Sequence, residues 1–352
     1  MNKLRYDKQI KLKGFGLPGQ ELLQNSKILI IGAGGLGTPC AQYLNGAGVG
    51  TIGLIDDDII SLSNLPRQTL YNDNEVGLPK VNVLFKKLNL QNPSTNFICH
   101  KEFLGPENAL SIIANYDLII DASDNFGTRY LVNDSCVILN KPFIYGAVYE
   151  FEGQVSVLNY MGGPTYRCLF AESEGPDDSL NCDDNGILGV LPALIGTYQA
   201  IEAIKIITHI GTVLSGQLLI IDTLSQTHLK IAVLPKQENK IITELKSSYS
   251  TPACINTVQL VDGNTLKTWL SIDKNIQVID VRTAEEFADN SLPGAKNIPL
   301  SDLDNRKVEI DFNLPVVTIC ASGIRSKQAA IVLVKAGYIG EVLSLKGGLS
   351  SL

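Results

Sequence analysis

The sequence predicts an α/β protein of two domains, a doubly wound one over residues 1–235 and a smaller α/β one over residues 254–352, with a polar linker over residues 236–253. Three observations predict it. The runs Lys27-Ile28-Leu29-Ile30-Ile31, Thr51-Ile52-Gly53-Leu54-Ile55 and Leu118-Ile119-Ile120 are continuously apolar and rich in β-branched residues. That is the pattern of strands covered on both faces of a parallel sheet. The first of these, and a later run Pro315-Val316-Val317-Thr318-Ile319, each lead into a glycine-bearing turn and then a helical stretch. Finally, a chain of 352 residues is long enough for two separate cores.

Composition narrows the class. With 45% hydrophobic and 18% charged residues the chain is an ordinary globular one. No apolar run reaches the ~20 residues of a membrane span, and Met1-Asn2-Lys3-Leu4-Arg5-Tyr6 opens no signal-peptide core. A net charge of −7 argues against a nucleic-acid partner. Seven scattered cysteines, an odd number without a compact framework, suit a reducing compartment. The expectation is a cytoplasmic protein with no nucleic-acid and no membrane partner.

The first strand opens into Gly32-Ala33-Gly34-Gly35-Leu36-Gly37 and a helix over residues 38–47. Glycines at Gly34 and Gly35 let backbone approach a phosphate, and the helix N-terminus stabilises its charge. The second strand ends at Asp56, 24 residues after Gly32, where a carboxylate reaches a ribose hydroxyl. This much reads as a Rossmann-like nucleotide site and does not separate ATP from NAD. The next blocks do: Ser61-Leu62-Ser63-Asn64-Leu65-Pro66-Arg67-Gln68, then Gly77-Leu78-Pro79-Lys80, then Asp121-Ala122-Ser123-Asp124-Asn125 after the third strand. Two cations and a carboxylate suit a triphosphate, with Arg67 and Lys80 offsetting phosphate charge and Asp124 holding Mg²⁺.

These pieces, with Arg5-Tyr6-Asp7-Lys8-Gln9, Glu152-Gly153-Gln154, Tyr166-Arg167-Cys168 and Gly196-Thr197-Tyr198-Gln199-Ala200-Ile201-Glu202-Ala203-Ile204-Lys205, resemble the ThiF/MoeB/HesA family. Its members are prokaryotic relatives of ubiquitin-activating enzymes. The resemblance spans residue 4 to about 235 and implies a Rossmann-like, doubly wound ATP-binding domain. It implies MgATP-dependent adenylation of the C-terminal glycine of a small ubiquitin-like sulfur-carrier protein ending in Gly-Gly. Gly34, Gly35, Asp56, Ser63, Asn64, Arg67, Lys80, Asp124 and Asn125 are then the nucleotide contacts. The family's N-terminal arginine finger, which reaches the partner subunit's nucleotide in a homodimer, falls on Lys8 here. Lysine supplies the charge without the bidentate fork, and Arg5 stands nearby to compensate.

Cys182, in Ser179-Leu180-Asn181-Cys182-Asp183-Asp184-Asn185-Gly186, matches a family cysteine on a crossover loop that relays the activated acyl group. The other reading is an inert loop thiol, since the two following aspartates raise its pKa. The family also commonly holds a structural zinc in two Cys-x-x-Cys pairs. Here the first reads Thr165-Tyr166-Arg167-Cys168, and Lys236-Gln237-Glu238-Asn239-Lys240 supplies no cysteine for the second. One thiolate makes no tetrahedral site, so zinc is expected to be absent and Cys168 to be core. Cys40, Cys99 and Cys136 read as packing residues.

In the C-terminal domain, Cys320-Ala321-Ser322-Gly323-Ile324-Arg325-Ser326 places a thiol between a strand and a helix start. Backbone N–H groups and the charge of Arg325 would stabilise its thiolate or persulfide. With Val278-Ile279-Asp280-Val281-Arg282, Glu285-Glu286-Phe287, Pro293-Gly294-Ala295-Lys296-Asn297-Ile298-Pro299 and Lys346-Gly347-Gly348, it resembles a rhodanese domain whose cysteine carries a sulfane sulfur. Asn290-Ser291 replaces the family's Gly-His. Catalysis is therefore expected from Cys182, Cys320, Lys8, Arg67 and Arg325. The sulfur source is expected to be a donor such as a cysteine desulfurase, and the product a thiocarboxylate on the carrier. Two rivals stand beside this: an adenylyltransferase whose rhodanese module only binds a partner, and an NAD-dependent oxidoreductase.

Overall fold

A computed structural model describes residues 3–170, 186–249, 259–272, 274–321, 323–335, 338 and 341–351. They fall into two compact units, one ending at Tyr249 and the other comprising the described residues from 259 onward.

In the first unit, β1 (Lys27–Ile31), β2 (Thr51–Ile55), β3 (Asn96–His100), β4 (Leu118–Asp121) and β5 (Phe143–Tyr149) run parallel. Three antiparallel strands, β6 (Glu152–Leu158), β7 (Gln217–Asp222) and β8 (Thr227–Ala232), extend the sheet to the order β3-β2-β1-β4-β5-β6-β7-β8. Alternate residues of β1 enter different cores, Ile28 and Ile30 on one face and Leu29 and Ile31 on the other. Coverage of both faces is the physical reason its sequence reads as an unbroken apolar run. The chain leaves β1 for β2 on one side and returns to β4 on the other. The loops after β1 and β4 therefore flank a topological switch point, where open α/β sheets bind ligands.

The helix Gly37–Ala47 follows β1, and Val190–Thr208 packs against it and the sheet. Among the described residues, Val190–Thr208 is the one helix long and apolar enough to cross a membrane. Half of it is buried, as in a core helix.

Residues 236–249 are not free linker. Gln237–Lys240 forms a 3₁₀ turn, and the Tyr249 ring is buried in the core that includes Tyr130 and Tyr166. The Tyr249 hydroxyl donates to Asp134 Oδ2 at 2.7 Å. Arg167 grips the same carboxylate with Nε and Nη2, both at 2.8 Å. Polar composition suggested solvated chain; one buried tyrosine on a charged hub holds the segment down instead.

The second unit is a five-stranded parallel sheet ordered β11-β10-β12-β13-β9. Its strands are β9 (Gln259–Val261), β10 (Gln277–Asp280), β11 (Lys296–Asn297), β12 (Val316–Ile319) and β13 (Val342–Leu345). Asp262 caps the helix Gly263–Ser271, and a Thr283–Glu286 capping box starts Ala284–Asp289. The helix Ile324–Lys335 begins directly behind the cysteine turn.

Candidate active sites

At the switch point of the first unit, Gly32 sits at φ +99°, and a Cβ there would lie 2.7 Å from the Ala122 carbonyl oxygen. Only glycine lets the loop after β1 touch the loop after β4, the loop that carries Asp124. Asp56 ties β2 to the same turn: Ala33 N–H donates to its Oδ2 at 2.7 Å and Asp58 N–H to its Oδ1 at 2.8 Å. Burial raises the pKa of this carboxyl, against the opposing pull of Lys80 and those two amides.

Lys80 opens the helix Lys80–Gln91 and is only 5% exposed. Its ammonium donates to Asp58 Oδ2 at 2.7 Å, and that carboxylate is 67% exposed. The Tyr71 hydroxyl donates to the Ala33 carbonyl at 2.9 Å and lies 3.5 Å from the Lys80 carbonyl, pinning this helix start to the glycine turn. Ser63 and Asn64 belong to the turn Leu62–Asn64, and Arg67 folds back to donate to the Ser63 carbonyl at 3.0 Å. Gln68, nearly fully buried, faces Gly34, and its Oε1 has no hydrogen-bond partner among the described residues. A glycine turn and a buried cation with an exposed counter-ion together fit a polyphosphate. Asp124, exposed at the end of β4, offers the hard oxygen that Mg²⁺ takes.

Not every expected contact converges. The Asn125 side chain caps the helix Phe126–Ile138, its Oδ1 accepting from Thr128 N–H at 2.8 Å. Lys8 lies exposed on the short helix Asp7–Ile10, and Arg5 donates to the Gln91 carbonyl of its own chain. Cys182 lies outside the described residues.

In the second unit β12 delivers Cys320, whose side chain is fully buried. Gly323 N–H points at its Sγ from 3.1 Å and Ser326 N–H from 3.3 Å. Gly323 holds φ +92°, which this turn requires and an L side chain resists. Two amides aimed at one sulfur make the anion cradle that the sequence predicts. The charge of Arg325 is another matter. Its Nη1 and Nη2 bind both oxygens of Glu286 at 2.7 Å each. Those hydrogen bonds, aided by Thr283 N–H, hold the Glu286 carboxyl down at about 2. Arg325 therefore meets the sulfur as half of an ion pair, not as the bare cation the sequence suggested.

Cys168 is half-buried, packed against the edge of the core rather than enclosed in it. Its Sγ accepts from Thr165 N–H and Lys236 N–H at 3.4 Å each and from Asn239 Nδ2 at 3.6 Å. Partial burial pushes this thiol up, but the bonds from Thr165, Lys236 and Asn239 outweigh it, and the net shift is downward. One sulfur surrounded by N–H donors does not fit a zinc ion, which needs lone pairs. Cys40 and Cys136 are buried as expected, but Cys99 is exposed on β3, at the sheet edge. Sequence reasoning missed Asp58, whose only signal was its place in the triplet Asp56-Asp57-Asp58, and Tyr71, which had none. The triplet's carboxylate oxygens lie within 4.8 Å of one another, so Lys80 also relieves a local acidic cluster.

Comparison with known proteins supplies the family. Residues 6–242 match the ThiF family and residues 264–352 the rhodanese-like domain. The chain is 41% identical to a probable molybdopterin-synthase adenylyltransferase of Porphyra purpurea, over 99% of this chain and 92% of that protein. It is 39% identical to the adenylyltransferase and sulfurtransferase MOCS3 of Drosophila sechellia, over 92% of this chain and 77% of that one. A probable adenylyltransferase/sulfurtransferase MoeZ of Mycobacterium tuberculosis is 35% identical, over 98% and 91%. Among solved structures, E. coli MccB with MccA-N7isoASN shares the fold at TM-score 0.61 and 20% identity, over 69% of this chain and 75% of that one. Neither the oxidoreductase reading nor a rhodanese module that only binds a partner is favoured by these relatives. The chain belongs to the ThiF family and carries a C-terminal rhodanese-like domain, and it is an enzyme of the adenylyltransferase and sulfurtransferase class.

Proposed function

We propose that the first unit adenylates the C-terminal glycine of a small ubiquitin-like sulfur carrier ending in Gly-Gly, and that Cys320 supplies the sulfur that replaces AMP. The observation that carries it is Lys80, a buried cation beside the glycine turn whose counter-ion faces solvent. A glycine carboxylate oxygen attacks the α-phosphorus, the bond to pyrophosphate breaks, and an acyl-adenylate forms. Charge grows on the α-phosphoryl and the leaving pyrophosphate, where Asn64, Arg67 and Lys80 offset it and Asp56 orients the ribose. Mg²⁺ at Asp124 would neutralise further phosphate charge.

The terminal sulfur of a Cys320 persulfide then attacks the acyl carbon, directly or by way of Cys182, and AMP leaves. The product is an acyl disulfide, which a two-electron thiol reductant cleaves to the thiocarboxylate and the Cys320 thiol. A cysteine desulfurase is the class of donor that reloads Cys320. Carriers of this kind supply sulfur for molybdopterin, thiamine thiazole or tRNA thiolation. Joining both activities in one chain raises the effective concentration of donor at the activated carbonyl.

A homodimer in the cytoplasm completes the reading. Val190, Leu194 and Ile201 are exposed apolar residues on the helix Val190–Thr208, and Tyr43 joins them beside a groove that Gln9 also lines. Lys8 precedes Gln9, so pairing of two copies through this face would bring Lys8 to the neighbouring copy. Carrier-dependent ATP–pyrophosphate exchange, with Gly-Gly-ending carriers tried singly, tests the proposal. Exchange with one carrier establishes adenylation and names the pathway; none with any carrier points to a degenerate site, Lys8 first.

A further inference from the structure

Two Cys-x-x-Cys pairs, laid on this sequence, would occupy Thr165 and Cys168 in one segment and Lys236 and Asn239 in another. These segments lie far apart in the chain, yet all four positions meet at one atom. The Cys168 Sγ accepts from Thr165 N–H, Lys236 N–H and Asn239 Nδ2, and the Thr165 hydroxyl stands 3.4 Å from it. The polarity is opposite to that of a metal site. Zinc needs several lone-pair donors around itself. Here one lone-pair donor sits at the centre, and hydrogens point inward at it. Among the described residues Cys168 belongs to no group of three or more metal-ligating side chains.

We propose that a metal-free hydrogen-bond clasp, centred on the Cys168 sulfur, does in this chain the work of a four-cysteine zinc knuckle. The clasp fastens the start of the segment 236–249 onto the turn Tyr166–Leu169. Lys240 adds a bond to the Gly162 carbonyl, and Tyr249 closes the far end on Asp134, the carboxylate that Arg167 of the same turn holds. The segment on which the first unit ends is thus fixed at both ends without a metal. This inference does not depend on the identity of the carrier or on Cys320 chemistry.

The test uses the full chain, expressed with added zinc and purified without chelator. Elemental analysis should find well under one zinc per chain, and EDTA should leave Tm unchanged. The triple variant T165C/K236C/N239C restores two Cys-x-x-Cys pairs around the same point. It should bind one zinc per chain and acquire an EDTA-sensitive Tm. Stoichiometric zinc in the wild type, or a folded triple variant that takes up none, overturns the proposal. Should the triple variant fail to fold, Asn239→Ala decides: a Tm lowered by about 2–4 °C supports the clasp and an unchanged one overturns it. Pyrophosphate exchange by the same samples reports separately on the adenylation site.

Discussion

At residues 32–37 a buried strand turns through glycine into a helix, and at residues 320–324 another strand does the same, yet the two turns are armed differently. The first faces a ligand that must diffuse in, and it holds its main cation in reserve. Lys80 is buried, but its partner Asp58 is two-thirds exposed and has no second ion-pair partner among the described residues. An arriving polyphosphate has only to displace one solvated carboxylate. The second turn faces a sulfur already covalently in place, and its amides point at Cys320 before any substrate arrives. Its cation, Arg325, is locked in a two-toothed pair with Glu286. Transient charge is met by an exchangeable partner, and resident charge by fixed backbone dipoles.

Removing the sulfur carrier atom breaks the comparison most completely. Cys320→Ala should abolish thiocarboxylate formation while carrier-dependent pyrophosphate exchange stays at the wild-type level, followed by mass spectrometry of the carrier and by isotope exchange on the same sample. Loss of exchange as well would mean that the two turns do not act as separable centres.

Next in size is the reserve cation. Lys80→Met keeps the stem and removes the charge, and the Asp58 left behind is exposed enough to be solvated, so the fold should hold. Pyrophosphate exchange should fall by about 10²- to 10³-fold, the loss typical of one charge-stabilising group. A drop of less than tenfold would show that Arg67 and the glycine turn carry the phosphate without Lys80.

The sequence exposed the framework of both turns but not their arming. β1 and β2 were legible to the residue because strands covered on both faces leave an unbroken apolar signature. The glycines and Cys320 were legible because close approach and positive φ restrict residue choice locally. Asp58 and Glu286 were not, because an ion pair is settled by side chains from separate segments, and a carboxylate in sequence looks alike whether solvated or paired. Tyr249 escaped for a related reason: one aromatic in a polar stretch carries no periodicity, and the hub at Asp134 that holds it lies 115 residues away. Cys168 was read as core because its zinc partners are missing from the sequence. It packs at the edge of the core, and the donors around its sulfur, brought in from residues 236 and 239, left no local signal.

The locked pair gives the smallest effect and the sharpest distinction. Glu286 has its folded pKa held at about 2, below its usual 4.5, first by the Arg325 hydrogen bonds and then by Thr283 N–H. A carboxyl lowered on folding contributes stability that is complete above its unfolded pKa and vanishes as pH falls from there toward the folded value. Glu286→Gln removes the charge but keeps an oxygen for the Thr283 amide, so the capping box survives and the ion pair alone is lost. The urea midpoints of wild type and variant should therefore differ by a small constant amount at neutral pH. That gap should narrow steadily from about pH 5 down to about pH 2, as the carboxyl of the unfolded chain takes up its proton first and that of the folded chain last. Curves that stay parallel through this window would mean that Glu286 does not hold Arg325. The guanidinium charge would then be available to a persulfide on Cys320, and the second turn, like the first, would keep its cation in reserve.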